Sequence, residues 1–103
     1  MENDKAWTYL RFAARAGKAP SGEFQTENAI KGRKARVVVL AEDASENTKK
    51  HFRDMCRNAG VPFVMMGDRE TLGHAIGKEF RSSLAITDDN LAKAFMEESE
   101  GRQ

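Results

Sequence analysis

The residues best suited to chemistry in this chain are its one cysteine, Cys56, and its two histidines, His51 and His74. Cys56 follows Phe52 at helical spacing on an apolar stripe, so the sequence predicts a buried structural thiol rather than a nucleophile. His51 follows the charged pair Lys49-Lys50 and is predicted to lie on the surface. Neither histidine belongs to a recognisable metal-ligand motif. We therefore expect no catalytic residue, no metal site and no cofactor.

The strongest enzyme-class alternative is a receiver domain, in which an aspartate accepts a phosphoryl group. Asp43 follows a predicted buried strand, the position at which an open α/β sheet places functional groups. A receiver domain also needs an acidic pair after an earlier strand and a lysine after a later one. No buried strand is predicted before Val37, and the run Leu84-Ala85-Ile86 leads to Thr87-Asp88 without a lysine. The glycines form neither a dinucleotide-binding motif nor a Walker loop. The sequence therefore favours a protein that is not an enzyme.

The basic residues are concentrated in the first half of the chain. Residues 1–53 hold eleven Lys and Arg against seven Asp and Glu, whereas residues 54–103 hold six against nine. The overall net charge of +1 conceals this asymmetry. A one-sided basic region indicates either a polyanion-binding surface or an ordinary solvated face. The cluster comprises Arg11, Arg15, Lys18, Lys31, Arg33, Lys34 and Arg36.

Hydrophobic periodicity predicts alternating helices and strands. Helices are expected over residues 4–16, 22–31, about 45–60, about 68–77 and from 87 or 88 onward, with Ser21 as the N-cap of the second. Apolar runs at 37–41, 61–66 and 84–86 predict strands, and the extended segment 18–21 is expected to form a fourth, edge strand. This order predicts an α/β protein, a three-layer α/β/α sandwich with a small mixed sheet of about four strands.

The length of 103 residues fits one domain over residues 1–103. No apolar run approaches the roughly 20 residues that a membrane helix needs. The polar N-terminus leads into no apolar stretch and is not typical of a secretory signal. Together with the single thiol, these features predict a cytoplasmic protein without a membrane partner.

Three stretches occur in an order and at a spacing that resemble a known family. The first is Arg15-Ala16-Gly17-Lys18 followed by Ser21-Gly22-Glu23, the second runs from Val39 to Lys50, and the third from Glu70 to Lys78. Together they resemble the bacterial YlxQ-type branch of the ribosomal L-seven-Ae superfamily, over about residues 7–96. The resemblance implies an α/β/α sandwich that binds RNA, and in the better-known relatives it implies specific binding of kink-turns.

The resemblance also implies a contact surface with three parts. The family's Gly-x-Asn-Glu-x-x-Lys segment aligns with residues 22–28, its Glu-Asp pair with residues 42 and 43, and its third part with the loop 78–83. The start of the second helix offers a phosphate site, and its far end offers basic side chains for the RNA backbone. The expected RNA-binding residues are Lys18, Gly22, Glu23, Phe24, Gln25, Asn28, Lys31, Arg33, Lys34, Glu42, Asp43, Lys78, Glu79, Phe80, Arg81 and Ser82.

The chain departs from the family motif at three positions. Phe24-Gln25 stands where the family has Asn-Glu, and Asn28 stands where it has Lys. A neutral amide lacks charge assistance, which roughly halves the strength of each hydrogen bond. Phe24 is expected either to stack on a base or to pack in the core, and Phe80 either to stack or to turn inward. Arg81 is expected to be exposed and to grip phosphate. The departures predict weaker recognition of kink-turns than of RNA in general.

These observations lead to two hypotheses of different classes. The first is a monomeric, non-catalytic protein that binds structured RNA of the kink-turn or ribosomal kind and is linked to translation or ribosome function, with no DNA partner. The second is a protein-interaction module that keeps the same fold with weakened RNA binding. The basic cluster favours the first, and the replaced motif residues favour the second.

Overall fold

The apolar run at the centre of the chain is strand β1, Val37–Leu40, and all four of its residues are buried. The computed structural model describes residues 4–100, so the first three and last three residues of the predicted domain lie outside the described residues. Around β1 the remaining elements are α1 (Asp4–Arg15), α2 (Glu23–Lys31), α3 (Glu46–Ala59), β2 (Phe63–Met65), α4 (Arg69–Ala75), β3 (Ser83–Ile86) and α5 (Asp89–Glu100). Within residues 4–100 no helix combines the length and the hydropathy that crossing a bilayer requires.

The sheet is mixed and has the strand order β2-β1-β3. Strand β1 runs parallel to β2, with Val39 opposite Val64, and antiparallel to β3, with Leu40 opposite Ser83. The parallel pair is connected through α3, as a parallel connection requires a crossover. β1 is therefore the central strand, which explains its continuous apolar sequence.

Helices cover both faces of this sheet. Val37 and Val39 point into a core shared with α1, α4 and α5, in which Leu10 and Phe95 are fully buried. The alternate residue Val38 points the other way, into a second core shared with α2 and α3. Successive strand residues face opposite sides of a sheet, so one strand supplies both cores. The predicted three-layer α/β/α sandwich is confirmed.

The sheet has three strands, and the expectation of about four was wrong. Segment 18–21 does run antiparallel to β3, but it forms only an isolated bridge between Ser21 and Leu84. The amides of Ala85 and Thr87 donate to the carbonyls of Pro20 and Lys18. A ladder would also need an N–H at residue 20, which proline lacks. Pro20 therefore limits the edge segment to a single bridge.

Helices α3 and α4 begin at side-chain N-caps, at the starts that the sequence predicted, whereas α2 does not. Ser45 accepts from the Thr48 amide at 3.1 Å, and Asp68 accepts from the Thr71 amide at 2.8 Å. Helix α2 begins one residue later than predicted. Its N-cap is Gly22, at φ 90° and ψ 162°, and it has no side-chain cap. Ser21 was predicted as the cap, but its hydroxyl accepts a hydrogen bond from Arg81 instead.

Candidate functional site

The first turn of α2 presents its backbone donors outward. With no side-chain cap, the amides of Glu23, Phe24 and Gln25 have no protein acceptor among the described residues. The amide of Thr26 is the first to be bonded, to the carbonyl of Gly22 at 2.9 Å. Unbonded amides and the positive end of the helix dipole together favour an anion. This geometry fits a phosphate group.

A buried polar contact holds this turn against the sheet. The Gly22 amide donates to the Ser83 carbonyl at 2.9 Å, and the Ser83 hydroxyl donates to Thr26 Oγ1 at 3.2 Å. Thr26 is 0% exposed and Ser83 is 2% exposed. Gly22 adopts a positive φ that L side chains rarely accept. The contact with Ser83 of β3 and the conformation of Gly22 therefore fix the position of the three unbonded amides in the first turn of α2.

The Glu-Asp pair is the second predicted segment and follows the end of β1. The amide of Ala41 donates to the Ser82 carbonyl, which brings the pair beside the 78–83 loop. Glu42 is exposed. Asp43 has a structural partner, because its carboxylate accepts from the Arg69 amide at 2.9 Å and lies 3.4 Å from Arg69 Nε. Glu42 can reach a ligand directly, whereas the carboxylate of Asp43 is engaged with α4.

The loop 78–83 completes the group of three segments. Phe80 is 65% exposed, so the alternative in which it turned inward is wrong. Arg81 is only partly exposed, and its guanidinium donates to Ser21 Oγ at 3.0 Å and to the Phe80 carbonyl at 2.8 Å. The expectation of a fully exposed Arg81 was wrong, because the side chain ties the loop to the segment before α2. Lys78 and Glu79 are exposed.

A small cleft of about 260 Å³ lies between the start of α2 and the 78–83 loop, and neither Glu42 nor Asp43 lines it. It is lined by residues from the start of α2, the start of α3 and the loop: Ser21, Gly22, Glu23, Thr48, Phe80, Arg81, Ser82 and Ser83. Phe24 lies on the exposed side of α2, and 74% of its surface is accessible. The alternative in which Phe24 packed in the core was wrong. Phe24 and Phe80 are the two most exposed large apolar side chains among the described residues.

A larger groove of about 770 Å³ runs from segment 17–21 along α2. Two amide side chains predicted to contact RNA, Gln25 and Asn28, line this groove. It contains no Asp or Glu among its lining residues, and its cationic members are Lys18, Lys34, Lys78 and Arg81. Four cations without a carboxylate give the groove a positive potential, which favours a polyanion.

The basic residues at and just after the C-terminal end of α2 line two different grooves. Lys34 lines the groove just described, whereas Lys31 and Arg33 line another groove, of about 690 Å³, between the C-terminal ends of α2 and α3. Arg36 also lines that second groove, but its Nε forms an ion pair with Asp89 at 2.6 Å. Lys31 is the last residue of α2, and Arg33 and Lys34 follow its C-cap Gly32, where the chain turns through a positive φ at Arg33. The basic side chains therefore line two grooves rather than one.

The structure agrees with a non-nucleophilic Cys56. The side chain is buried in the core under α3, and burial raises the pKa of its thiol to about 11. A thiol with that pKa is protonated at neutral pH and cannot act as a thiolate. Cys56 contributes packing, as its position on the apolar stripe predicted.

Comparison with known proteins gives the family. The model of the ribosomal protein L7Ae/L30e/S12e/Gadd45 family matches residues 4–96. The chain belongs to this family. It is 42% identical over 83 residues to the RNA-binding protein YlxQ of Bacillus subtilis, covering 81% of this chain and 83% of that protein. It is 38% identical over 97 residues to the RNA-binding protein YlxQ of Enterococcus faecium, covering 94% and 93% respectively.

Two solved structures resemble this L7Ae-family chain closely. A protein of unknown function from Bacillus halodurans C superposes with a TM-score of 0.89 at 31% identity, covering 93% of this chain and 97% of the other. The 15.5kD RNA binding protein of Giardia lamblia superposes with a TM-score of 0.78 at 22% identity, covering 92% and 82%. The second similarity shows that the fold is shared.

Sequence reasoning missed several residues that build the site in this L7Ae-family protein. Thr26 was overlooked as a buried residue, although it precedes Ala29 and Ile30 at the three-and-four spacing of a buried helical stripe. Thr48 lines the cleft and was also missed. His51 is exposed as predicted, but its ring contacts Glu27, which lies 24 residues earlier in the chain. No local spacing could reveal that contact.

Proposed function

We propose that this chain is a non-catalytic protein that binds structured RNA of the kink-turn or ribosomal kind. The start of α2, the Glu42 loop and the 78–83 loop form the proposed surface that reads the RNA. We also propose that it acts in the cytoplasm as a monomer, and that its function is linked to translation or the ribosome. Two of the relatives, at 42% and 38% identity, carry the description RNA-binding protein, which supports it.

The observation that carries the proposal is the first turn of α2. Its three unbonded amides belong to Glu23, Phe24 and Gln25. Gln25 lines the groove with the cations, Glu23 shares the smaller cleft with the exposed Phe80, and Phe24 is itself exposed. A phosphate can bind at the amides, and unstacked bases can stack on Phe24 and Phe80, at about 1–3 kcal/mol for each base. RNA kinks and loops are the structures that expose unstacked bases to proteins.

The residues that replace the family motif lower the expected preference for kink-turns but leave the proposal of RNA binding in place. Gln25 and Asn28 both line the cationic groove, so their amides can bond to base edges or to the backbone. Neither carries the charge of the family's Glu and Lys. We therefore infer general binding of structured RNA with a reduced preference for kink-turns.

The test is a binding series with three RNAs at several salt concentrations: a standard kink-turn, a three-way junction and a plain duplex. If four to six phosphates are neutralised, the slope of log affinity against log salt lies near −3 to −5, since each contact contributes about −0.9 in B-DNA. We expect Lys18→Ala to make the slope shallower by about one unit. Lys93→Ala, an exposed lysine on α5, serves as the matched control and should leave it unchanged.

Absence of binding to all three RNAs at low salt would refute the proposal. It would favour the protein-interaction module, in which the exposed Phe24 contacts a protein partner instead of a base. Equal slopes for the wild type, Lys18→Ala and Lys93→Ala would show that the groove does not contact the RNA backbone.

A further inference from the structure

Three side chains that can bind metals meet between α2 and α3. Glu23 and Glu27 stand one helical turn apart on α2, and His51 faces them from α3. One ligand atom from each residue lies within 4.8 Å of the other two. His51 Nε2 is 2.5 Å from a carboxylate oxygen of Glu27, so two of the three donors are already in direct contact.

The surroundings hold two of the donors in place. The ring of His51 packs edge-on against Phe52, with 5.0 Å between the ring centroids. The side chain of Glu27 is 22% exposed, less than that of His51. Glu23 is exposed and can rotate toward the other two. Around a tetrahedral zinc ion the three donors lie about 3.4 Å apart, since zinc binds nitrogen and carboxylate oxygen at about 2.0–2.2 Å. Glu23 must therefore rotate toward the other two, and His51 and Glu27 must move apart to admit the ion, which the exposure of His51 permits.

The two carboxylates lack cationic partners of the usual kind. Within residues 4–100 no lysine or arginine forms an ion pair with Glu23 or Glu27. The nearby Lys49 and Lys50 pair with Glu46 and Asp54 instead. Like charges one turn apart on a helix repel each other. A bound cation would remove that repulsion, and its position beside the RNA-facing cleft would favour a polyanion there.

We propose that Glu23, Glu27 and His51 form a site for a divalent transition-metal ion of the zinc type. An imidazole favours zinc and its neighbours in the first transition series, whereas magnesium and calcium prefer oxygen ligands alone. Three protein donors leave a fourth position open to water. The site uses only residues of this chain, so it stands or falls independently of the proposed binding of RNA.

The experiment measures thermal unfolding of the chelator-treated protein with and without zinc. At about 100 times its Kd, zinc should raise the Tm by on the order of 10 °C, because an ion that binds only the folded state stabilises that state. The same concentration of magnesium should have little effect. Calorimetric titration with zinc should give one ion per chain.

Matched variants locate the site. His51→Gln should abolish the zinc-dependent rise in Tm, and Glu27→Gln should reduce it strongly. His74→Gln replaces the only other histidine in the chain and should keep the full rise. His51 is exposed, so the metal-free His51→Gln variant should fold as the wild type does, which circular dichroism verifies. The proposal is refuted if the wild type shows no rise, or if His51→Gln retains it.

Discussion

The two ends of α2 present positive charge in different ways. At the first turn the charge belongs to backbone amides, whose positions are fixed by the Ser83–Thr26 contact and by Gly22. At the other end it belongs to Lys31 and, just after the helix, to Arg33 and Lys34. These three side chains are exposed and form no ion pair among the described residues. One end presents backbone dipoles held by contacts with the sheet, and the other presents exposed side-chain charges.

If the chain binds RNA as proposed, this difference predicts different tasks for the two ends. Exposed side-chain charges attract any phosphate backbone and contribute affinity that depends strongly on salt. In the proposed complex, fixed donors beside exposed aromatic rings favour an RNA whose phosphates and bases match their geometry. Damage to the first end should therefore change which RNA is preferred, and damage to the second should change affinity for all RNAs alike.

The largest expected effect comes from Gly73→Ala, which disturbs the loop beside the first turn. A β-carbon on Gly73 would lie 1.2 Å from the Glu79 carbonyl oxygen, so the loop must move. Overpacking of this kind costs about 3 kcal/mol of unfolding free energy, measured by urea denaturation. The preference among RNAs should be lost while the salt slope persists.

Gly32→Ala is the control, because Gly32 has an ordinary φ of −81° and a β-carbon there meets only the Asn28 carbonyl oxygen, at 3.1 Å. Similar losses in both variants would contradict this account.

Ser83→Ala tests the contact that fixes the first turn. It removes the buried partner of the Thr26 hydroxyl, and an unsatisfied buried hydroxyl costs about 1–3 kcal/mol. We expect a loss of about 2 kcal/mol in urea denaturation, and partial recovery when Thr26→Val is added, because the orphaned hydroxyl is then removed. A double variant that is less stable than Ser83→Ala would show that the two hydroxyls do not act as a pair.

Replacing Phe24, Gln25 and Asn28 by the family's Asn, Glu and Lys tests whether the first end reads bases. Each specific base contact is worth about 1–3 kcal/mol in DNA recognition. We expect kink-turn affinity to rise about tenfold, roughly 1.4 kcal/mol, with little change for a plain duplex. A gain that is equal for both RNAs would mean that this end of the helix contributes charge alone.

The smallest effect is expected from Arg33→Gly at the other end of α2. Arg33 has a φ of 61° and is the only non-glycine residue with a positive φ within residues 4–100. That conformation costs an L residue about 1–2 kcal/mol, partly offset in the variant by the greater freedom of glycine in the unfolded chain. We expect unfolding free energy to rise by about 0.5 kcal/mol, while the RNA salt slope becomes shallower by about one unit.

The control is Arg33→Lys, which keeps the charge and should keep the slope. A loss of stability in Arg33→Gly would contradict the strain argument.

The elements that the sequence predicted well are determined by neighbouring residues. β1 follows from a run of apolar side chains, and the start of α3 from the capping residue Ser45. The errors occur where distant residues decide. Ser21 has the chemistry of a cap, but Arg81, 60 residues later, binds its hydroxyl. Segment 18–21 is extended as predicted, yet the missing amide of Pro20 prevents a ladder with β3.

In the candidate site too, the sequence predicted what neighbouring residues determine and missed what distant residues determine. The family resemblance identified three segments, and the fold brings them together through bonds such as Gly22 to Ser83. Exposure of Phe24 and Phe80 could not be derived from spacing, because an aromatic residue on a helix or in a loop can face either way. The contact of His51 with Glu27 depends on how α3 packs against α2, which no local pattern records.

The edges of the sheet have a consequence for how the protein behaves at high concentration. An unpaired strand edge is a template on which a second chain can add a strand and begin an aggregate. On the β3 side, segment 18–21 occupies the edge. On the other side, β2 is only three residues long and follows Pro62. Neither edge offers a long run of free amides and carbonyls, so intermolecular strand addition is disfavoured while the domain is folded.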